Sequence, residues 1–258
     1  MKSWTKRIVG AALMSGVLGL LVSACADNES SVFIRQVLQP TTGTCTYGAD
    51  PSSMAYTEGT LDLAFRSEYT AGLLVGSQLV ERGSSQQIRT ETSRLRIEGS
   101  EVRIETTDGS VLKEYTVPTS GFVDPASGTT PGWGVVSSVL IDSATGDALR
   151  SSPSLVAAPG QRSTTIMRVV SVVKVFGTTL GGQKETSGEF RFPISVCYGC
   201  LVSFPPDAAD STLPLPNCMA TGSTTGTSVS EPCYLGQDSA VDCRTCTNSG
   251  FPTGICQP

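Results

Sequence analysis

The sequence predicts an all-β fold, an antiparallel β-sandwich of immunoglobulin-like or similar kind, followed by an irregular, disulfide-stapled C-terminal tail. Three observations predict it. Between Val32 and Val196 apolar residues alternate with polar ones at a period of two, the mark of a strand with one wet and one buried face. Turn signals recur between these runs, and no amphipathic helical period appears after the N-terminal segment. Beyond Val196 the chain turns rich in Pro, Gly, Thr and Cys and loses its alternation.

Each strand has its own justification. Leu61, Leu63 and Phe65 alternate. Leu95 and Ile97, then Val102 and Ile104, alternate with Arg94, Arg96, Glu98, Glu101, Arg103 and Glu105. Gly99-Ser100 lies between the two runs and reads as a turn. A longer loop there would set Glu98 opposite Arg103 and Arg96 opposite Glu105, a favourable cross-strand pattern. Asp108-Gly109 is a second hairpin signal, leading into Val111–Val117. The stretch from Gly121 to Trp133 reads as a loop, and Gly134 to Ile141 returns as a strand. Ile166 to Phe176 is dense in Val, and Gly181-Gly182 turns it into the run from Glu189 to Val196. About eight strands result, as a sandwich or barrel requires.

The tail cannot build a core from apolar residues. Its middle holds Pro205-Pro206, Pro214, Pro216 and the low-complexity run from Thr221 to Ser228. A segment of this kind needs covalent staples to hold a shape. The chain has nine cysteines. Setting Cys25 aside leaves Cys45, Cys197, Cys200, Cys218, Cys233, Cys243, Cys246 and Cys256 as disulfide candidates, an even set. If all pair within the chain, parity requires Cys45 to bridge to the C-terminal group. The remaining connectivity is open.

The N-terminus begins with Lys2, Lys6 and Arg7, continues with an apolar stretch from Ile8 to Val22, and ends in Ser23-Ala24-Cys25. Charge, a short apolar core and small residues before a cut are the parts of a secretory signal, and the stretch is too short for a retained span. Val22-Ser23-Ala24-Cys25 resembles the lipobox of bacterial lipoproteins. The resemblance covers residues 1–26. It implies cleavage before Cys25, acylation of that cysteine, and attachment to a lipid bilayer through its acyl chains. In Gram-negative members an Asp directly after the cysteine favours the inner membrane. Ala26 stands there instead, so the implied address is the outer membrane, facing periplasm or surface. The expected organisation is a signal peptide over 1–24, a lipidated tether over 25–31, a β-sandwich over 32–196 and a Cys-rich lobe over 197–258.

Charge and composition narrow the function. The leader's three cations leave 15 Lys and Arg against 23 Asp and Glu, a balance of −8. An acidic domain is a poor partner for nucleic acid. The chain contains no His, which removes Ser-His-Asp and Cys-His hydrolases and most catalytic zinc sites. Two CxxC pairs, Cys197–Cys200 and Cys243–Cys246, have zinc-ribbon spacing, but beyond the cytosol disulfides are the better account and no metal is assigned. A redox CxxC wants a strand-to-helix setting, which neither pair shows. Ser171-Val172-Val173-Lys174 matches the SxxK string of serine acyl-enzymes. That chemistry needs a helix to put both groups on one face, and here the string lies in a strand. Asp238 and Asp242 read as a solvated turn, with calcium as the sharper alternative. Trp133, in a Pro-Gly-Trp-Gly stretch, is the binding candidate, weighed against the commoner role of capping the core. The function expected is a non-catalytic, cofactor-free envelope lipoprotein that binds a protein or glycan partner, with recognition in the loops. The alternatives are a glycan hydrolase working with paired carboxylates, and a metal or redox role for the Cys-rich lobe.

Overall fold

The computed structural model describes residues 30–84, 88–155, 160–204, 218, 232–248, 250–251 and 253–256. Cys25 and the expected signal peptide therefore lie outside the described residues. Strands dominate and helices are few, so the all-β expectation holds at that level, and one sheet curls into a half-barrel. Among the described residues no helix is long and apolar enough to cross a membrane.

The chain opens with β1 (Val32–Leu38), then the short β2 (Ala55–Tyr56) and β3 (Gly59–Asp62), and the long β4 (Tyr69–Ser77). The hairpin of β5 (Leu95–Thr106) and β6 (Val111–Val123) follows, then β7 (Gly132–Ile141) and helix α1 (Ser143–Arg150). β8 (Met167–Thr179), β9 (Lys184–Thr186) and β10 (Phe190–Cys197) complete the scaffold. The tail contributes β11 (Val202–Ser203), β12 (Val241–Asp242), α2 (Cys243–Asn248) and α3 (Thr253–Cys256).

One sheet has the order β2-β1-β4-β7 and the other β3-β10-β8-β5-β6, with β9 beside β8. Most pairs are antiparallel, but β3 runs parallel to β10 and β11 parallel to β12. Both sheets turn apolar side chains into one core. Val32, Leu73, Val75, Val136 and Leu140 come from the first, and Leu95, Ile104, Val173, Phe192 and Ile194 from the second. Burial of this kind contributes about 25 cal/mol per Å² of apolar surface, the main favourable term for the scaffold. Along β6 and β7 side chains join the two sheets, with Tyr115 and Thr119 hydroxyls donating to the carbonyls of Val139 and Ser137.

The turn expected at Gly99-Ser100 does not exist. β5 runs straight through it, with its register against both β6 and β8 shifted between Ile97 and Gly99. The physical reason is parity. Leu95 and Ile97 are odd, Val102 and Ile104 are even, and all four are buried. One extra residue must switch the phase, and a bulge does this as well as a turn. The expected cross-strand charge pairs give way to pairs along the strand, Arg96–Glu98 at 2.7 Å and Arg103–Glu105 at 2.7 Å. Asp108-Gly109 does turn the chain, with Gly109 at φ 89° and its N–H donating to Thr106. The expected loop from Gly121 to Trp133 is shorter, since β6 continues to Val123 and β7 starts at Gly132.

The expectation of no helix is also corrected. Asp142 caps α1 by accepting from the N–H of Thr145, and Arg150 lies in its last turn. The helix is too short for its apolar period to stand out, and Gly146 packs so closely on the Ser67 backbone that a Cβ would collide.

Four disulfides form: Cys45–Cys233, Cys197–Cys200, Cys218–Cys243 and Cys246–Cys256. Cys45 does bridge to the C-terminal group. Around Cys218, Cys243, Cys246 and Cys256 a second small core gathers Val202, Val241 and Ile255, with Phe65 and Phe251 partly buried against it. The tail expected to be irregular thus holds two short helices and a parallel strand pair.

Candidate functional site

The site is built where the stapled tail meets the scaffold. The Cys45–Cys233 bond carries the loop after β1 onto the segment that begins at Pro232. That segment docks through three polar clamps. Gln237 accepts from the N–H of Thr70 at 3.0 Å and donates to its carbonyl at 2.7 Å, so an amide side chain satisfies the backbone at the start of β4. The Asp238 backbone N–H donates to the carbonyl of Thr60. The Asp238 carboxylate accepts from the Thr60 N–H at 2.7 Å, the Tyr69 hydroxyl at 2.7 Å and the Gln237 amide at 3.2 Å. Asp238 sits at φ 58°, a left-handed conformation that Asp tolerates better than most residues.

Between β1, β4 and this segment lies a cavity of about 240 Å³, with Tyr47, Tyr56, Tyr69, Tyr234, Gln237 and Asp238 in its wall. The Tyr47 ring covers Gly72, where a Cβ would stand 2.7 Å from the ring, so only glycine lets the ring lie on the strand. Tyr47 and Tyr234 hydroxyls meet at 3.5 Å. Tyr69 is fully buried and fixed by its bond to Asp238. Arg66 lies over the ring of Tyr234 at 5.2 Å.

Burial raises the Asp238 carboxyl above the ordinary carboxylate value, against the opposing hydrogen bonds from Thr60, Tyr69 and Gln237. Burial also raises the Tyr69 phenol, and the neighbouring Asp238 charge adds to it. Tyr47 is raised by burial and then by its hydrogen bond with Tyr234, and Tyr56 by burial and then Asp238. The phenols therefore remain neutral hydroxyls. The wall combines aromatic faces, hydroxyls and one carboxylate, which suits binding of a polar ligand with apolar C–H faces.

Other expected site residues fall elsewhere. Trp133 is not at a loop tip but inside β7, opposite Gly76. Its ring meets Phe33 edge-on at 5.7 Å, and Arg35 lies over it at 5.5 Å. It neither caps the inner core nor stands free. Asp242 is held by Arg244 at 2.6 Å. Asp238 is a half-buried clamp rather than a solvated turn. Ser171 is buried and donates to the Leu140 carbonyl, while Lys174 reaches Glu189 on the outer face, so the SxxK pair is split across the strand.

Several acids outside the tyrosine cavity are held by cations or by backbone N–H groups. A second hollow of about 340 Å³ on the outer face of the larger sheet includes Glu101, Glu114 and Glu189 beside Arg103 and Lys174. There Glu189 lies 3.4 Å from both Arg103 and Lys174. Glu105 lies between Arg103 and Arg191. Asp62 is fully buried and accepts from the backbone N–H groups of Ala64, Gly199 and Leu201.

The tyrosine cluster escaped the sequence reading, although part of its signal was present. Tyr47 and Tyr234 stand two and one residues after Cys45 and Cys233. Any pairing of those two cysteines brings the tyrosines together. No protein-family model and no curated protein matches this chain.

Proposed function

We propose that the protein is a lipid-anchored cell-envelope binding module, tethered to a bilayer, most simply the outer membrane, through acylated Cys25. Its two sheets act as a sandwich-like scaffold, and the tyrosine-lined cavity holds a glycan. The observation that carries this reading is the cavity wall itself: Tyr47, Tyr56 and Tyr234 beside a partly desolvated carboxylate, held between covalently joined segments, with the buried Tyr69 fixing Asp238 from behind. Tyrosine supplies a flat face for sugar C–H groups and a hydroxyl for sugar oxygens, and a pre-organised wall loses little entropy on binding. Asp238 orients the ligand and the Tyr69 hydroxyl rather than attacking a bond.

Calorimetric titration of the mature domain with envelope glycan fragments tests the site. The expected result is saturable binding that weakens about tenfold or more, about 1.4 kcal/mol, in Tyr234→Ala. Failure of the unaltered protein to bind any such fragment rejects the glycan reading. Labelled palmitate tests the anchor separately: it should enter the unaltered chain and not Cys25→Ser, which should leave the membrane fraction. A chain that takes up no label is not a lipoprotein.

A further inference from the structure

The Cys197–Cys200 disulfide differs from the other three in what it contributes and in what surrounds it. It closes a separation of 3 residues, against 188, 25 and 10 for the others. Stabilisation by a cross-link grows with the loop it closes, so this bond adds the least to the fold. The turn it spans is already fixed without it. The Asp62 carboxylate binds the N–H of Gly199 at 2.6 Å and of Leu201 at 2.9 Å, and β3 pairs Asp62 with Cys197. Gly199 sits at φ 79° with the stem of Arg162 against it, and the Tyr198 carbonyl accepts from Ser163.

The two sulfurs are also unequal. Cys197 is buried and Cys200 is exposed, and an Asp62 oxygen and both sulfurs lie within 4.8 Å of one another. An incoming thiolate can reach one sulfur, and the other departs next to a carboxyl group. Burial raises the Asp62 carboxyl above its ordinary value, against its backbone hydrogen bonds. The shift is toward the protonated form, the form that can give a proton to the Cys197 sulfur within 4.8 Å of the carboxyl group. A redox CxxC commonly relies on a helix N-terminus to tune its thiol. Here a buried acid stands in the helix's place.

We propose that Cys197–Cys200 is a redox-active disulfide that exchanges with a protein dithiol at the Cys200 sulfur, with Asp62 as proton donor to Cys197. The dithiol's thiolate bonds to the Cys200 Sγ and the Sγ–Sγ bond breaks. Its electron pair passes to the Cys197 Sγ, which takes the Asp62 proton. The dithiol's second thiolate then attacks its own sulfur in the mixed disulfide and releases Cys200 as a thiolate. The Cys200 thiolate and the ionised Asp62 each take up one of the two protons that the dithiol lost to solvent, so the CxxC pair is reduced to two thiols, Asp62 is restored and the dithiol is oxidised to a disulfide.

Equilibration of the full chain in graded dithiothreitol buffers, followed by alkylation and mass spectrometry, tests this. Cys197 and Cys200 should become alkylated together, at an equilibrium constant at least tenfold from those of the other three bonds, about 30 mV, with circular dichroism unchanged. Opening with or after the others, or together with loss of structure, overturns the proposal. The role of Asp62 is read in the unaltered protein from the exchange rate per thiolate. That rate should fall as pH rises and Asp62 loses its proton, and the fall should vanish in Asp62→Asn. A flat profile in the unaltered protein overturns Asp62 as donor.

Discussion

The scaffold and the stapled lobe solve the same problem by different means. The scaffold buries a large apolar set, with Leu73, Ile104, Leu140, Phe192 and Ile194 all inaccessible or nearly so. Among the described residues the lobe's buried set is Val202, Val241 and Ile255 plus four half-cystines. In the first, water is excluded by side chains brought together from two sheets. In the second, the unfolded chain is restrained by bonds. The difference explains where a site can lie. Neither region closes the tyrosine cavity alone, since Tyr56 and Tyr69 come from strands and Tyr234 and Asp238 from the stapled segment.

The largest effect should come from the bond joining the two regions. Replacing Cys45 and Cys233 by Ala frees a separation of 188 residues in the unfolded state. Loop-closure entropy puts the loss at about 5 kcal/mol. Chemical denaturation gives the total, and hydrogen exchange should show the segment from Pro232 to Ala240 losing protection before β4 and β5. Uniform loss in both regions would mean that they unfold as one unit, and the comparison would fail.

Phe192→Ala strikes the scaffold directly. Its ring is fully buried and tilted against Tyr69 at 6.0 Å. The expected cost is about 3–5 kcal/mol, seen as a lower denaturation midpoint with all four disulfides intact by mass mapping. Because Tyr69 carries the bond to Asp238, ligand binding should weaken as well.

A smaller effect is set by pH. Burial raises both Asp62 and Asp238, so in the window above the ordinary value of 3.8 the folded state holds protons that the unfolded state has released. Their contribution is full below that value and is lost as pH rises through the folded pKa. Asp238→Asn should remove part of this slope. The stability difference between the unaltered protein and the variant should therefore drift with pH, in the variant's favour toward neutrality. A constant difference across that range would show that Asp238 ionises in the fold as it does in water.

The sequence carried the all-β class, the Asp108-Gly109 hairpin and the tether of Cys45 to the tail, because alternation, turn chemistry and parity are local or arithmetic properties. It misplaced Gly99-Ser100, since a bulge and a turn leave the same change of parity in Leu95, Ile97, Val102 and Ile104. It missed α1, whose eight residues include Gly146 and hold together through the Asp142 cap and close packing on Ser67. The tyrosine site was illegible because four rings distant in sequence meet only once Cys45 finds Cys233 among the possible partners. Asp62 gave no signal at all. A single acid in a β-run reads as outward-facing, and its backbone partners lie 137 and 139 residues away.

Trp133 offers the finest test, because it belongs to the scaffold yet lies outside its inner core. With Phe33 it packs over Gly76, where a Cβ would run into both rings. Strand glycines leave a gap in the sheet surface, and a cross-strand aromatic fills it. Trp133→Ala should cost about 1 kcal/mol from the lost ring pair, with a further small loss from the Arg35 contact. The variant should keep the affinity of the tyrosine cavity, since Trp133 is not in its wall. Denaturation midpoint and titration, measured on the same preparation, separate the two roles. A drop in affinity without a drop in stability would return Trp133 to the recognition surface and move the site toward the β1–β4–β7 face. A stability loss of several kcal/mol would instead make the outer face of that sheet a second load on the fold, comparable with the inner core.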